Sequence, residues 1–332
     1  MTRLADRQTV PMSWLPWQEA WGLALYGTDG FYRRREGPAG HFATSAHGLG
    51  PTGALMAEAV LELARRHSLD RIVEVGAGRG ELLTVLDAAA GSDGPSLTGL
   101  DVVPRPPGLS PAVGWQRSPG GPHLPDELAD LTGALVLAHE WLDVVPAPVA
   151  ERDDSGVWRV VEVDTGSGRE RRADPVPEAD GDWISGHVPP GPCRVEVGRT
   201  RDLAFADLAS RVACGLVLAI DYGHTRAERP PAGTLAAYRL GARVVPVPDG
   251  SCDLTAHVAV DTLGADRLVP QREALRDLLG LAPPPPHGLS RADPAAYLAA
   301  LSRRSAVATL RAPQGPGGFW WAMRRRGRVR LN

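Results

Sequence analysis

Three glycines at alternate positions, Gly76, Gly78 and Gly80, are the residues of this chain with the most evident chemical use. They follow residues 71–75, which are predicted to form a buried strand, and a helix-like segment begins at Glu81. Glycine lets the backbone turn sharply and approach a ligand closely, because no Cβ stands in the way. The free N–H groups and positive dipole end of the following helix would face the same turn. Residues 71–81 therefore predict a buried strand, a glycine-rich turn and a helix start that hold a ligand.

Two acids beside this turn favour one class of ligand. Asp101 ends the next predicted strand, where doubly wound sheets bind the hydroxyls of a ribose. Glu74 precedes the turn, which suits a cationic sulfonium and amino group better than a pyrophosphate. The glycine spacing is GxGxG, since residue 81 is Glu rather than the last glycine of GxGxxG. We therefore predict S-adenosyl-L-methionine (SAM) rather than NAD, with Glu74, the three glycines and Asp101 as binding residues. The alternative is a strand-turn-helix whose glycines only allow tight packing and whose Asp101 is an ordinary surface residue.

Further polar residues follow two other apolar strands. His139, Glu140 and Asp143 come after one of them, and Asp221 and Tyr222 come after the other. Groups at the carboxyl ends of parallel strands line one crevice. Carboxylates there could hold a cationic nitrogen by charge-assisted hydrogen bonds and orient it for methyl transfer, which depends mainly on positioning. Glu140 and Asp143 would share one side of a helical turn. The alternatives are a helix-dipole role for Glu140 and ordinary turn positions for Asp143 and Asp221.

The order of elements predicts an α/β fold. Uninterrupted apolar strands alternate with helices, which indicates a doubly wound parallel sheet covered on both faces. A period-2 stretch after residue 148 predicts an antiparallel insertion. The predicted division is an N-terminal helical extension, a core and a β-rich insertion: 1–66, then 67–147 with 199–332, and 148–198. The predicted helices are 54–66, 81–90, 124–131, 201–213, 271–280 and 294–302.

An aromatic-rich segment precedes the core. Trp14, Trp17 and Trp21 have the spacing of one helix face. The simpler interpretation is a helix that buries large rings in the core. The alternative is that residues 12–36, which also include Tyr26 and Tyr32, form a wall of a substrate cleft.

Composition excludes several classes of protein. The chain has 332 residues, 43% of them hydrophobic, which is enough for a large core and excludes a disordered protein. A net charge of −3 gives no electrostatic case for nucleic acid binding. Three distant cysteines form no disulfide framework, and no signal peptide or apolar run of membrane length is evident, so a cytoplasmic location is expected. The histidines lack metal-ligand spacing, so no metal is expected.

Seven motifs together resemble one family, the MidA/NDUFAF7-type SAM-dependent methyltransferases. They occur in the family's order between about Trp17 and Arg326: Ala24–Tyr32, Phe42–Ser45, Val73–Leu82, His139–Pro146, Ile220–His224, Gly233–Arg239 and Asp253–Val258.

The resemblance implies a class I SAM-dependent methyltransferase fold with added elements. It also implies methylation of arginine in a protein substrate, the activity best attested for mitochondrial members in the assembly of respiratory complex I. The residues that it places at the cofactor are Glu74, Gly76, Gly78, Gly80, Thr44, Ser45 and His139. The residues that it places at the methyl acceptor are Glu140, Asp143, Asp221 and His257. A small-molecule methyltransferase and a non-catalytic SAM-binding assembly factor are the alternatives, and the oligomeric state is open.

The chain departs from the family pattern at several positions. His139 stands where the family has Asn, and Ala259 where it has Asp. The other departures are His41, Ala46 and Val260. Several of these positions are expected in the cleft, so the departures bear on the identity of the acceptor. They are expected to affect cofactor binding less, because the glycines are intact.

Overall fold

The structure, a computed structural model, describes residues 13–34, 51–280 and 283–327. The predicted cofactor residues Thr44 and Ser45 lie outside the described residues, as do the departures His41 and Ala46.

Helices and strands alternate through most of the chain. The α-helices are α1 (Trp17–Tyr26), α2 (Pro51–Arg66), α3 (Glu81–Ala90), α4 (Glu178–His187), α5 (Arg199–Ser210), α6 (Gln271–Leu279), α7 (Leu289–Ala292) and α8 (Pro294–Leu310). The strands are β1 (Trp14–Pro16), β2 (Arg71–Val75), β3 (Ser96–Asp101), β4 (Gly114–Arg117), β5 (Leu131–His139), β6 (Val149–Arg152), β7 (Trp158–Asp164), β8 (Glu170–Pro175), β9 (Arg194–Glu196), β10 (Val212–Asp221), β11 (Gly223–His224), β12 (Ala236–Arg239), β13 (Ala242–Val244), β14 (Asp253–Thr255), β15 (Val258–Ala259), β16 (Arg267–Pro270) and β17 (Trp320–Arg326).

A seven-stranded sheet forms the centre of the molecule, in the order β16-β17-β10-β5-β2-β3-β4. The pairs from β10 to β4 are parallel, whereas β17 runs antiparallel to both of its neighbours. The carboxyl ends of β2, β3, β5 and β10 therefore meet at one edge of the sheet. The predicted α/β fold class is confirmed, but the sheet is mixed rather than wholly parallel, because β17 pairs antiparallel with both of its neighbours.

Both faces of the central sheet are buried, which is why its strands are apolar without alternation. Along β5, Leu135 and Leu137 pack into a cluster with α2, α3, α6 and α8. Their neighbours Ala134, Val136 and Ala138 pack on the other face with α5. The side chains of one strand thus anchor two layers and fix the position at which the strand ends.

A second sheet lies between β5 and β10 in the sequence. Strands β6, β7 and β9 form it together with β1 and β8, all in antiparallel pairs. Helix α1 packs against it through Trp17 and Trp21, which are buried with Val161 and Val163. The domain boundaries given above stay a prediction.

Two predicted elements are wrong. Trp14 does not continue the aromatic helix face, because it belongs to β1 and pairs with Asp164. Residues 124–130 form turns rather than a helix, and β5 already begins at Leu131. The aromatic spacing and the apolar pattern were misleading because pairing with distant strands overrides a short local pattern. Among the described helices, none combines the length and apolar character needed to cross a membrane.

Candidate active site

A cavity of about 640 Å³ opens at the carboxyl ends of the central strands. It brings together most of the residues predicted from the sequence: Glu74, Gly76, Gly78, Asp101, His139, Glu140, Asp143 and His257. Gly80 and Asp221 do not line it. The cavity lies within the usual size range for a small-molecule site.

The glycine turn has the backbone geometry that only glycine adopts easily. Gly76, Gly78 and Gly80 have φ of 71°, 57° and 77°. A Cβ on Gly80 would lie 2.9 Å from the Leu109 side chain, so Gly80 supports the turn from outside the cavity. The Gly78 N–H donates to Asp101 Oδ2 at 2.8 Å, which closes the turn against the end of β3.

Glu74 is a buried acid in the cavity with an oxygen that lacks a hydrogen-bond donor among the described residues. It is 4% exposed, it lines the cavity, and its Oε2 has no hydrogen-bond partner among the described residues. Burial, followed by the charges of Glu81 and Asp101, raises the pKa of Glu74 to about 8. A buried acceptor without a donor is costly, so this oxygen indicates a bound group that supplies an N–H.

Asp101 also lines the cavity at the turn. Burial raises its pKa to about 6, while hydrogen bonds from backbone N–H groups, including those of Val103 and Gly78, act in the opposite direction. Each of its oxygens accepts one backbone hydrogen bond, from Gly78 and from Val103, so the side chain is fixed at the cavity edge, and ribose binding stays a prediction.

Asp143 is the centre of a hydrogen-bonded group elsewhere in the cavity lining. It is 4% exposed, and its Oδ2 accepts hydrogen bonds from Tyr222 Oη at 2.5 Å and from Thr255 Oγ1 at 2.7 Å. The two hydroxyls also contact each other. The other oxygen, Oδ1, is buried without a partner among the described residues. Burial raises the pKa of Asp143, and the two hydroxyl donors oppose that shift.

Asp221 positions this group from behind. Its Oδ2 accepts hydrogen bonds from the backbone N–H groups of Leu142 and Asp143, at 2.9 and 3.2 Å. It is 2% exposed and does not line the cavity. Burial and the charges of Asp143 and Glu140 raise the pKa of Asp221 well above its ordinary value. The structure thus gives Asp221 a positioning role for the segment after β5.

Arg201 holds two cavity-lining segments together. Its guanidinium, in α5, is fully buried and donates to the carbonyl oxygens of Asp143, Val145, Ala256 and His257 at 2.7 to 3.1 Å. No sequence pattern points to Arg201, because its partners are backbone carbonyls, which every residue carries.

The two histidines in the cavity are neutral near pH 7. Burial lowers the pKa of His139 to about 4, so its 3.6 Å contact with Glu140 joins a neutral imidazole to a carboxylate. Burial also lowers the pKa of His257, whose ring stands edge-on to Tyr222 at 5.3 Å.

Glu140 is strained, and the predicted helical turn at Glu140 and Asp143 is wrong. Glu140 has φ of 53°, and residues 140–145 form bends and turns rather than a helix. A non-glycine residue in this region costs about 1–2 kcal/mol. Strain of this kind is found most often at functional sites, where the surrounding structure maintains it.

This strain predicts an inverted order of stability for two variants. Glu140→Gly should be more stable than Glu140→Ala by about 1 kcal/mol, because only alanine keeps the strained Cβ. At an ordinary position glycine is less stable than alanine by about 0.5–1 kcal/mol. Urea unfolding of both variants measures the difference. An alanine variant at least as stable as the glycine variant would contradict the strain.

Acids dominate the charged lining of the cavity. Among the described residues that line it, Arg79 is the only arginine. Six lining residues carry carboxyl groups: Glu74, Glu81, Asp101, Glu140, Asp143 and Asp253. With both histidines neutral, the site is suited to cationic ligands.

Several lining residues were missed or left open by the sequence. Asp253 and Thr255 belong to the motif Asp253–Val258, but the sequence predicted no role for either residue. Both interpretations of the aromatic segment, a core helix and a cleft wall, hold for part of it. Trp17 and Trp21 are core residues, whereas Tyr26 and Tyr32 line the cavity.

The comparisons with known proteins agree with this geometry. Residues 113–269 match the family described as "Putative S-adenosyl-L-methionine-dependent methyltransferase". The match covers a little under half of the chain. The resemblance predicted from the sequence is thereby confirmed, as is SAM as the predicted cofactor. No curated protein matches the methyltransferase.

Two solved structures share the fold of this methyltransferase. One is a COG1565 superfamily member from Burkholderia thailandensis bound to S-adenosyl-homocysteine, with a TM-score of 0.73 and 21% identity over 96% of this chain and 89% of that one. The other is a native structure of a COG1565 superfamily protein from the same organism, with a TM-score of 0.71 and 21% identity over 95% and 89%. At this identity the likeness shows the fold.

The cavity fits the cofactor of this methyltransferase. The unpartnered Glu74 Oε2 suits a cationic amino group. A Cβ at Gly78 would lie 3.0 Å from Glu81 Oε2, a tight contact, so glycine keeps this part of the turn open to a ligand.

The departures from the family pattern need one correction. Ala259 and Val260 do not lie in the cleft, because both are buried in apolar clusters away from the cavity. Of the departures that the structure describes, only His139 lines the cavity.

Proposed function

We propose that this methyltransferase transfers the methyl group of SAM to a cationic nitrogen, and that the acceptor is an arginine guanidinium of a protein. The observation that carries the proposal is the buried, unpartnered Asp143 Oδ1, in the same cavity as the glycine turn. A carboxylate oxygen of this kind is the acceptor that a guanidinium or amine N–H requires.

The residues of the chain would act on the acceptor in four ways. When bound, SAM supplies a methyl group on a sulfonium, so the new N–C bond forms as the C–S bond breaks and its electron pair stays on sulfur. Asp143 holds the acceptor nitrogen, with Tyr222 and Thr255 fixing its orientation. Asp143 Oδ1 receives the proton that the nitrogen loses. Glu140 adds negative charge beside the acceptor, and the buried walls exclude water.

Two observations support a protein substrate over a free metabolite. The motifs resemble a family whose attested activity is protein arginine methylation. His257, predicted for the acceptor site, is exposed while also lining the cavity, so the cavity reaches the surface. The alternative is a small-molecule acceptor, which the mass spectrometry experiment below distinguishes from a protein.

The test separates cofactor binding from transfer. Gly78→Val should abolish binding of SAM by calorimetry, because a β-branched residue does not easily adopt the φ of 57° and its side chain would crowd Glu81 at the turn. Asp143→Asn should keep SAM binding within about threefold and reduce methyl transfer by 100-fold or more, the scale of losing a positioned proton acceptor. Asp207→Asn, on the exposed side of α5, is the matched control.

The acceptor itself is found by mass spectrometry. Methylated peptides from the wild-type organism should include a methyl-arginine that is absent from a deletion strain and restored by the wild-type gene but not by Asp143→Asn. A proteome without such a difference, together with a methylated metabolite that depends on the gene, would replace the protein acceptor with a small molecule.

A further inference from the structure

Asp253 is a buried acid in the cavity to which the proposed function above gives no role. It is 4% exposed, it begins β14, and its Oδ1 accepts a hydrogen bond from Tyr32 Oη at 2.7 Å. Tyr32 also lines the cavity, and it comes from the distant segment after α1. A buried carboxylate with one hydroxyl donor retains acceptor capacity for a ligand.

The pleat of β14 points Asp253 toward the same space as Asp143. Asp253 and Thr255 are two residues apart, so they share one face of the strand, and both line the cavity. Leu254 lies on the other face, in the core cluster with Trp21. Thr255 Oγ1 donates to Asp143 Oδ2. Asp253 therefore lies about 7 Å along the strand from the residue that holds Asp143.

Aromatic rings surround the space beside Asp253. Tyr26 and Tyr32 stack with their centroids 5.6 Å apart. Tyr238 pairs directly with Asp253 across β12 and β14, and it also lines the cavity. Flat rings next to carboxylates favour a flat, weakly hydrated cation over a compact ammonium.

We propose that Asp253 binds a second edge of a planar guanidinium whose first edge faces Asp143. The inference rests on the proposed function and deepens it, because it names the residue that selects guanidinium over ammonium. A guanidinium has five N–H donors in a rigid plane and can donate hydrogen bonds to carboxylates on two of its edges. An ammonium is a point charge, which does not need two acids at this separation.

The charges of the site are consistent with this role. Burial raises the pKa of Asp253 to about 8; the hydrogen bond from Tyr32 opposes this shift and the charge of Asp143 adds to it. Two such carboxylates repel each other when the site holds no cation. A guanidinium between them would relieve both the desolvation and the repulsion, so it binds where a neutral analogue does not.

The test measures binding to the full-length protein saturated with S-adenosyl-homocysteine, which permits no transfer. The probes are N-acetyl-arginine amide, its neutral isostere N-acetyl-citrulline amide and N-acetyl-lysine amide, by calorimetry. We expect arginine to bind at least tenfold more tightly than either of the others. Asp253→Asn should weaken the arginine probe at least tenfold and leave S-adenosyl-homocysteine binding within twofold.

Tyr32→Phe is the milder second variant, since it removes only the hydroxyl that holds Asp253. It should weaken the arginine probe by about threefold to tenfold, the size of one neutral hydrogen bond. Asp207→Asn should change nothing. Thermal unfolding of each variant shows whether a loss of binding comes from misfolding.

The outcomes separate this inference from the function on which it rests. If Asp143→Asn loses the arginine probe while Asp253→Asn and Tyr32→Phe keep it, Asp253 does not bind the guanidinium, although the proposed function stands. Equal binding of lysine and arginine would overturn the planar-cation assignment. Failure of the wild type to bind any of the three probes would overturn both.

Discussion

Replacing Arg201 with methionine is expected to lower the free energy of unfolding by on the order of 4 kcal/mol. The Arg201 guanidinium is fully buried and donates to four backbone carbonyls. Methionine fills a similar volume but donates nothing, so the carbonyls lose their partners. An unsatisfied buried acceptor costs about 1–3 kcal/mol, and water reaches some of the four. Urea denaturation measures the change.

The matched control for Arg201→Met is Arg303→Met. Arg303 also makes hydrogen bonds through two nitrogens, to Glu58, but both side chains are close to half exposed. A surface pair of this kind contributes at most about 1 kcal/mol. Equal losses for the two variants would show that the carbonyl contacts of Arg201 contribute little to stability. Cofactor binding of the folded Arg201→Met protein should change less than acceptor binding, because the side-chain hydrogen bonds of Arg201 go to segments 143–145 and 256–257 rather than to the glycine turn.

Glu74→Gln is expected to weaken SAM binding by about 10- to 100-fold at pH 8.5, since a hydrogen bond to a charged group contributes about 1.5–3 kcal/mol. Glutamine keeps the size of the side chain and removes only its charge. Calorimetric titration with SAM measures the loss, and Glu62→Gln on the outer side of α2 is the control. Unchanged affinity in Glu74→Gln would mean that this carboxylate does not face the cationic part of the cofactor.

The same group predicts two opposite pH dependences. The pKa of Glu74 is about 8 in the folded protein and 4.5 ordinarily, so the folded state binds more protons between these values. The free energy of unfolding therefore falls as pH rises from about 4.5 to about 8. Affinity for SAM should instead rise up to about pH 8, because a cation needs the ionised carboxylate. Glu74→Gln should reduce both slopes, and a variant with wild-type slopes would contradict the assignment.

Much of the fold could be predicted because the central strands are recognisable from their apolar sequences. The apolar runs of β5 and β10 are buried on both faces, which identifies them as strands of a parallel sheet, and parallel pairing puts their carboxyl ends at one edge. The glycine turn was equally readable, since three positions with positive φ leave glycine as the only easy choice. Both features depend on residues that are close together in the chain, so they can be predicted from a single sequence.

The rest of the site depends on pairs that the sequence does not connect. Tyr32 and Asp253 are brought together by α1 and β14, and no periodicity links them. Asp221 was predicted for the acceptor cleft, yet its carboxylate binds backbone N–H groups that any residue provides. The left-handed conformation of Glu140 was also invisible, because glutamate is not a residue type that signals it.

The hydrogen bond from Gly78 to Asp101 has a thermodynamic consequence. It closes the turn before any ligand arrives, so this wall of the cavity is preorganised and binding need not order it. The heat-capacity change on SAM binding to this wall should then reflect only the apolar surface removed from water, without the larger signature of coupled folding. Asp101→Ala would release the turn, and the entropic cost of ordering it would reappear in the binding of the cofactor.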